Sequence, residues 1–490
     1  MKMAYRFITS RGFPTRSTQL RPYYQRLPSL HSQYAYPRAY SSMPKPPTNE
    51  VTQLLEKVQS TTKVFLDFVR SQGLPEPSYQ NGDGLHPAQP LPHEVQEARE
   101  GAIEATYELH HLMLGPLGLL FSCPGEQLML LSLQYIYRYQ IATHVPLDGT
   151  TTFEELSKAT GLGQKDLTRF LRVAISRHVF CEPTKGTIAH TAASKLLINN
   201  PLVEAWIQNI AQEFWPAFTR TVEATERWPG SEEPNETGYS IAHGTTSHPF
   251  DEIRKDQRRH QQFITAMRFS HLHPVYHLSH LLNNYNFNRT STTTNTTTIV
   301  DVGGSNGEVS IEIASQYPNV QCIVQDLPDT IAGLAANVPP ALSERVTGMP
   351  HDFLEVQPVH GADVYLLRWI LHDWSDKYAI QILRNLTPAL KKGARVVVND
   401  VCLPAPGQVG PMTERYFRYM DISMKAFNNA RERDVETWES LFVEADSRFR
   451  FLGVSVPPGR GWLLLRRSGW GSDGHIVVTL RSLYLYILGI

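Results

Sequence analysis

The sequence predicts an α/β protein in which a helical region precedes a parallel sheet covered by helices on both faces. Three observations support this prediction. From residue 298 onward, short β-branched runs alternate with helical segments, which is typical of a parallel sheet. Residues 151–198 show the order helix, turn, helix and hairpin. A glycine-rich turn, residues 303–307, joins the first of the late strands to its helix.

Composition limits the classes of protein that fit this chain. Its 490 residues are 41% hydrophobic, and the net charge of −1 gives no general argument for nucleic acid or an anionic membrane as a partner. The four cysteines have no CxxC spacing, so neither a disulfide framework nor a zinc site is indicated. No uninterrupted apolar run reaches the ~18 residues that a membrane span requires. We therefore expect no metal, no nucleic acid and no membrane segment.

The two ends of the chain differ from the middle. Residues 1–49 hold eight basic side chains and no acidic one, which is typical of an organelle transit peptide or of a disordered leader. We expect a cytoplasmic protein, with mitochondrial targeting by residues 1–42 as the alternative. Residues 468–490 form an apolar tail that is interrupted by charges, and we assign it no function.

The middle divides into three segments. Residues 50–93 predict an amphipathic helix and a proline-rich linker, residues 94–285 a helical and winged-helix domain, and residues 286–467 the sheet domain. A winged helix can bind DNA, but residues 141–200 carry seven basic and five acidic side chains. This small excess is weak for a module that must neutralise several phosphates, so a structural role is favoured.

The glycine-rich turn reads D-V-G-G-S-N-G and differs from the G-x-G-x-x-G of a dinucleotide site. Its glycines, Gly303, Gly304 and Gly307, permit a tight turn and a close approach of ligand to backbone. Asp301 ends the strand before it, where an acid suits a cation better than a pyrophosphate. Asp326 ends the next strand, where a carboxylate can accept both ribose hydroxyls of a nucleoside. Together they favour S-adenosylmethionine, which has a sulfonium and an amino group but no phosphate.

Two later segments supply candidate contacts and chemistry. Asp352 and Phe353 follow the predicted third strand, where they could meet an adenine amine and ring face. His372 follows the fourth strand at the carboxyl edge of the sheet, and its ordinary pKa near 6.5 makes it the best candidate general base. Asp400 and Glu432 are the acids that could orient it. For Glu432, an exposed charge between two arginines is an equal alternative.

The ordered series VDVGGSNG, QDLP, HDF, LLRWILHDWSD, VVVNDVCLP and NARERD resembles the plant and fungal small-molecule O-methyltransferases that use S-adenosylmethionine. The resemblance runs from about residue 100 to 467. It implies a Rossmann-like class I methyltransferase domain preceded by an all-helical and winged-helix dimerisation domain, and hence a homodimer. It also places Leu327 beside the ribose acid and Arg368 where plant members carry a lysine near the cofactor. Four positions resemble the family's pocket-lining residues, and a fifth, Ser270, resembles a cofactor contact; the four are Phe263, Met267, Met424 and Asn428.

The resemblance and the residues lead to one expected reaction. His372 takes the proton from a phenolic or enolic hydroxyl of an aromatic small molecule. The oxyanion attacks the sulfonium methyl group of S-adenosylmethionine in line, the carbon–sulfur bond breaks, and S-adenosylhomocysteine leaves, without a metal ion. Asp400 and Glu432 flank the base. A nicotinamide-dependent oxidoreductase and a winged-helix ligand sensor with a degenerate methyltransferase domain are the alternatives.

Overall fold

The computed structural model of the chain describes residues 49–80, 91–123, 125–272, 278–289 and 296–454, and for residues 270–272 and 289 the backbone only. The predicted leader up to residue 48, the apolar tail and most of the threonine-rich segment before residue 296 lie outside these residues. The targeting prediction therefore stays untested.

Three long helices begin the described chain: α1 (Glu50–Ser71), α2 (His93–Ser122) and α3 (Gly125–Arg138). Helix α2 contains a kink at Gly115, and it ends at Ser122, three residues before α3 begins. Gly115 has φ 65°, a left-handed conformation that glycine adopts at little cost, and Pro116 follows it. Among the described helices, no single one is long and apolar enough to cross a membrane, and only α2 and α3 together, bent by 58°, pass that test.

The winged-helix segment has the predicted order of elements: β1 (Thr151–Thr152), α4 (Phe153–Thr160), α5 (Gln164–Ser176), β2 (Phe180–Cys181) and β3 (Thr187–His190). The strands form an antiparallel sheet in the order β1-β3-β2. Thr152 and Glu155 form a reciprocal capping box at the start of α4, and Gly161 ends that helix with φ 71°. Each boundary thus has a local cause in the sequence.

A layer of helices follows: α6 (Ala192–Lys195), α7 (Pro201–Asn209), α8 (Trp215–Arg227), α9 (Gly238–His243), α10 (Pro249–Arg254), α11 (Gln257–Leu272) and α12 (Ser279–Asn284). A π-helical turn, Ile210–Phe214, joins α7 to α8. Such turns are rare and often mark functional regions. Here the turn directs Glu213 into the interior, where it is 2% exposed.

The sheet domain contains five parallel strands and their helices: β4 (Thr297–Val302), α13 (Glu308–Gln316), β5 (Val320–Asp326), α14 (Pro328–Ile331), α15 (Leu334–Asn337), β6 (Val346–Pro350), β7 (Val364–Arg368), α16 (Asp376–Leu386), β8 (Arg395–Asn399), α17 (Pro411–Asn428) and α18 (Val435–Ala445). The strand order is β6-β5-β4-β7-β8, so the chain reverses direction across the sheet between β4 and β7. In such sheets the ligand cleft lies outside the carboxyl ends of the strands at this reversal.

Alternate residues of the central strands face two separate cores, which is why the strands are almost wholly apolar. Tyr365 and Leu367 pack toward α16 and α18, whereas Leu366 packs with Ile313 of α13 on the other face. The predicted sheet covered on both sides is therefore confirmed.

Helix α17 connects the sheet domain to the helical layer. It packs on α2, α8 and α9. At its first turn, Glu104 of α2 accepts hydrogen bonds from the backbone N–H groups of Met412 and Thr413 at 2.9 Å each. A carboxylate at a helix N-terminus satisfies unpaired donors and suits the helix dipole. A side chain from the helical region thus fixes the start of a helix that carries two candidate pocket residues.

Candidate active site

The glycine turn after β4 is packed so closely that side chains would not fit. A Cβ on Gly303 would stand 2.4 Å from Ile370, one on Gly304 2.7 Å from the Asp301 carboxyl carbon, and one on Gly307 2.3 Å from Leu334. Gly303 and Gly307 also have positive φ values of 72° and 75°. All three glycines are therefore required by the local packing.

Asp301 lies beneath this turn. It is buried, and its Oδ2 accepts a hydrogen bond of 2.7 Å from the Ser310 hydroxyl on α13. Burial raises the pKa of Asp301 to about 6. Its visible contacts thus hold the glycine turn and the start of α13 together.

Asp326 ends β5, as predicted, and points back to the glycine turn. Its Oδ2 accepts from the Ser305 N–H at 2.9 Å, and its Oδ1 accepts from the Leu327 N–H at 2.8 Å. Burial raises the pKa of Asp326, while these backbone bonds oppose the rise. A carboxylate offers about four lone-pair positions, so each oxygen can still accept a further donor.

Phe353 and Asp352 follow β6. Phe353 is half-buried, lies edge-on to Trp374 with ring centroids 5.8 Å apart, and would be 3.6 Å from a Cβ on Gly303. Asp352 is exposed, and its Oδ1 accepts from the Leu354 N–H at 2.9 Å. The Phe353 ring therefore lies next to the glycine turn, and the Asp352 carboxylate stabilises the loop after β6.

Arg368 ends β7, with its guanidinium hydrogen-bonded to the Asn399 side chain at the end of β8. Burial lowers its pKa to about 10, whereas the charges of Asp301 and Asp400 act in the opposite direction. The arginine therefore places a cation between the acid under the glycine turn and the acid that follows β8.

The segment after β7 brings His372 into the interior. Trp369 has φ 56°, an uncommon conformation for a bulky residue, and the chain then forms a 3₁₀ turn over Leu371–Asp373. His372 is 7% exposed, and its Nδ1 lies 3.0 Å from Oε1 of Glu432, which is fully buried. A carboxylate accepts from a protonated ring nitrogen, so Glu432 favours a proton on Nδ1.

The two candidate acids have different partners. Asp400 Oδ2 accepts from the backbone N–H of His372 at 3.1 Å, so it holds the chain and not the ring. Asp373 Oδ1 lies 3.8 Å from His372 Nε2. Burial opposes protonation of His372, but Asp373 and Glu432 outweigh it and raise the pKa of the imidazole to about 10. Burial raises the pKa of Asp373 to about 6.

Phe427, the neighbour of Asn428 on α17, belongs to an aromatic cluster. Phe263 stacks on Phe427 with ring centroids 6.3 Å apart, and Phe427 stacks on Phe214 of the π-helical turn at 4.7 Å. Met424 is buried in the same cluster. Met267 lies one turn after Phe263 on α11 and is half-buried. The side chain of Ser270 lies outside the described part of the chain.

Asn428 connects this aromatic cluster to the loop that carries His372. It is 1% exposed, and its Nδ2 donates to the Asp373 carbonyl at 2.8 Å. Asn428 Oδ1, Asp400 Oδ1 and Glu432 Oε2 are buried and have no hydrogen-bond partner among the described residues. Unpaired buried acceptors are costly, and they suit a ligand that brings hydroxyl or amine donors.

Sequence reasoning missed several residues of this site. The aromatic cluster contains Phe214, Phe250 and Phe427. Their apolar spacing is that of any buried helix, so the sequence pattern does not distinguish them. Arg433 is fully buried although it sits in a run of charges. Its neighbour Glu432, for which exposure was an equal alternative, is buried too. The only local signal is that this run directly precedes the N-cap Asp434 of α18.

The residues at the carboxyl edge fit S-adenosylmethionine. The turn at Gly303 and Gly304 carries no side chains, Asp326 accepts one backbone N–H on each oxygen and keeps lone pairs for a hydroxyl donor, and Phe353 places a ring 3.6 Å from the Cβ position of Gly303. Among the described residues, no group of three or more His, Cys, Asp or Glu side chains is arranged to hold a metal ion.

Comparison with known proteins agrees with this geometry. Residues 229–448 match the O-methyltransferase domain family. The chain is 37% identical to the O-methyltransferase pyvH of Aspergillus violaceofuscus over 419 residues, 84% of this chain and 97% of that protein. It is 36% identical to the chlorophenol O-methyltransferase of Trichoderma longibrachiatum over 406 residues, 82% and 86% of the two chains.

Solved structures share the fold. The crystal structure of OxaC with sinefungin and meleagrin has a TM-score of 0.64 at 20% identity and covers 81% of this chain and 94% of that one. LepI with SAM has a TM-score of 0.61 at 21% identity, covering 80% and 93%.

The sheet order and the site at its carboxyl edge define a Rossmann-like class I methyltransferase with a helical region before it. Within that class, the chain belongs to the S-adenosylmethionine-dependent small-molecule O-methyltransferases, and S-adenosylmethionine is its cofactor.

Proposed function

We propose that the chain methylates a phenolic or enolic hydroxyl of an aromatic small molecule, with His372 as the general base. The observation that carries the proposal is the buried His372–Glu432 pair, 3.0 Å apart, at the sheet edge that also holds the glycine turn. Phe263, which is half-buried and stacks on Phe427, offers an aromatic ring to a planar substrate.

The chemistry follows from the protonation states. Bound S-adenosylmethionine supplies an electrophilic methyl group. His372 Nε2 accepts the hydroxyl proton, Glu432 stabilises the resulting imidazolium, and Asp400 holds the backbone of the loop. A phenol has an ordinary pKa near 10, and the pKa of His372 is about 10. The surrounding carboxylates thus make neutral His372 a stronger proton acceptor than an ordinary histidine, and activity should rise with pH as the neutral form becomes populated.

Two further observations support a hydroxyl substrate. Asn428, Asp400 and Glu432 each keep an unpaired acceptor oxygen near His372. A relative at 36% identity is a chlorophenol O-methyltransferase, and chlorophenol carries an aromatic hydroxyl.

Replacement of the base tests the proposal. His372→Ala should lower kcat by about 10²- to 10⁴-fold, the usual contribution of a positioned base, with little change in the Kd for S-adenosylmethionine. The exposed His360→Ala is the matched control. Turnover on a panel of phenols is read by mass spectrometry, and cofactor binding by calorimetry. Wild-type turnover by His372→Ala would refute the assignment.

We also propose that the chain forms a homodimer through α2 and α3. Several large apolar side chains on these helices are exposed, including Met113 at 71%, Leu120 at 73% and Phe121 at 77%. Contiguous apolar surface of this kind marks association sites. Light scattering should give twice the chain mass for the wild type and a smaller mass for Leu120→Glu. A monomeric wild type at micromolar concentration would overturn the proposal.

A further inference from the structure

Arg433 is a fully buried cation next to the His372 loop, and the expected reaction gives it no part. Its guanidinium makes four hydrogen bonds among the described residues. Nη1 donates to the Leu371 carbonyl at 2.8 Å and to the Arg431 carbonyl at 3.4 Å, Nη2 to the Trp374 carbonyl at 2.8 Å, and Nε to Asp376 Oδ1 at 2.8 Å.

These contacts surround the base on both sides along the chain. Leu371 comes directly before His372, and Trp374 follows it by two residues. Both carbonyls lie at the 3₁₀ turn and its C-cap; within the turn the Leu371 carbonyl accepts only a longer bond, 3.3 Å from the Trp374 N–H, so Arg433 supplies the shorter one. The rigid fork of an arginine can reach two such carbonyls at once, which a flexible lysine does less well.

The backbone around Arg433 is itself fixed at several points. Its carbonyl accepts from the Leu403 N–H at 2.8 Å, and its guanidinium lies 5.1 Å from the Trp438 ring centroid. The N–H of Glu432 donates to Asp421 of α17 at 3.0 Å. Two successive residues therefore bind the His372 segment: the Glu432 carboxylate hydrogen-bonds to the imidazole, and the Arg433 guanidinium hydrogen-bonds to the backbone on either side of it.

Charge adds to this arrangement. His372 is faced by Asp373 on its own loop, by Asp400 after β8 and by Glu432. Arg433 brings a positive charge that favours the ionised forms of Asp400 and Glu432. An uncompensated set of carboxyl groups in a buried site would tend to protonate, and Glu432 would then lose its hold on the imidazole.

We propose that Arg433 is a positioning residue for catalysis: its guanidinium holds the backbone on both sides of His372 and thereby sets the ring's orientation. This inference rests on the proposed role of His372 as the base. Arg433 itself touches neither the substrate nor the cofactor in this account.

The test compares Arg433→Lys and Arg433→Met with the matched control Arg431→Met in the full-length protein. Arg431 also pairs with Asp376, at 3.2 Å, but it is half exposed and does not reach the loop carbonyls. We expect kcat to fall by about 10- to 100-fold in both Arg433 variants, since a misplacement of about 1 Å can cost 10²-fold. KM for S-adenosylmethionine should stay within about twofold, and Arg431→Met should keep wild-type kcat.

The pH profile separates positioning from mere stability. Arg433→Lys keeps the charge, so the pH at which activity rises should stay in place while kcat falls. Arg433→Met removes the cation that favours ionised Glu432, so the imidazole loses part of its support and the rise should move to lower pH. If Arg433→Met fails to fold, Arg433→Lys alone decides the question, with circular dichroism confirming the folded fraction.

Two results would overturn the inference: wild-type kcat in folded Arg433→Lys with only a lower Tm, or an equal loss in Arg431→Met. His372→Ala is measured in the same series. If that variant keeps its turnover, the proposed base is wrong; if only it loses turnover, the base stands and the role of Arg433 fails.

Discussion

Replacing Glu432 by glutamine removes the charge that supports the base while keeping the size of the side chain. Glu432 is fully buried, and its carboxylate lies 3.0 Å from His372 Nδ1. A hydrogen bond to a charged group is worth about 1.5–3 kcal/mol. One pKa unit corresponds to about 1.36 kcal/mol, so this bond holds the pKa of His372 up by about 1–2 units.

The sign of the effect follows directly. Glu432 raises the pKa of His372, and burial lowers it. Without the carboxylate, the pKa of His372 should fall by about 1–2 units. The rise of kcat/KM with pH should move to lower pH by the same amount. The plateau kcat should also fall, because a weaker base transfers the proton less readily.

The assay is initial-rate methylation of a phenol between pH 6 and 11 (about the range in which a base of this pKa titrates). The exposed Glu439→Gln is the control and should give the wild-type profile. If the rise of kcat/KM with pH in Glu432→Gln stays at the wild-type pH or moves to higher pH, the assignment of Glu432 as the partner of His372 is refuted.

Three other substitutions test the fold and the cofactor site. Gly304→Ala should weaken S-adenosylmethionine binding by about tenfold or more, since the alanine Cβ would stand 2.7 Å from both Asp301 and Val324 and displace the turn. An unchanged calorimetric Kd would contradict the requirement for glycine at this position. Asp326→Asn should weaken the same binding by about 10- to 100-fold, the equivalent of one charge-assisted hydrogen bond of about 1.5–3 kcal/mol, and equal affinity would exclude it as a ribose contact. Leu367→Ala should lower the unfolding free energy, measured in urea, by about 2–5 kcal/mol, because the side chain projects from β7 into the core toward α16 and is fully buried. A loss below about 1 kcal/mol would mean that neighbouring side chains move to fill the cavity.

Much of the fold follows from local patterns in the sequence. The capping box at Thr152, the left-handed Gly115 and the apolar run of β7 each define an element without reference to distant residues. The glycine turn and Asp326 were also predictable, since a strand–turn–helix unit places both at one edge of a parallel sheet.

The partners of the base were harder to predict because they depend on chain topology. Glu432 lies 60 residues after His372, in a run of charges that is typical of solvent-exposed surface. Asp400 was expected to face the imidazole, yet its oxygen holds the backbone N–H. The turn after β7 decides whether Asp400 contacts the ring or the backbone of His372. The positive φ of Trp369 in this turn has no signal in the sequence.

The π-helical turn between α7 and α8 also affects how far this protein can be recombined with its relatives. A π-helical turn holds one residue more than an α-helical turn, because its hydrogen bonds run from residue i to residue i+5. The helical segments on either side can therefore keep their orientation while the turn itself places two side chains inward: Glu213 accepts from Nε and Nη2 of Arg259 at 2.9 and 2.7 Å, and Phe214 stacks on Phe427. A chimera that replaces this segment with the uninterrupted α-helix of a relative should keep the flanking helices but lose one of these inward positions.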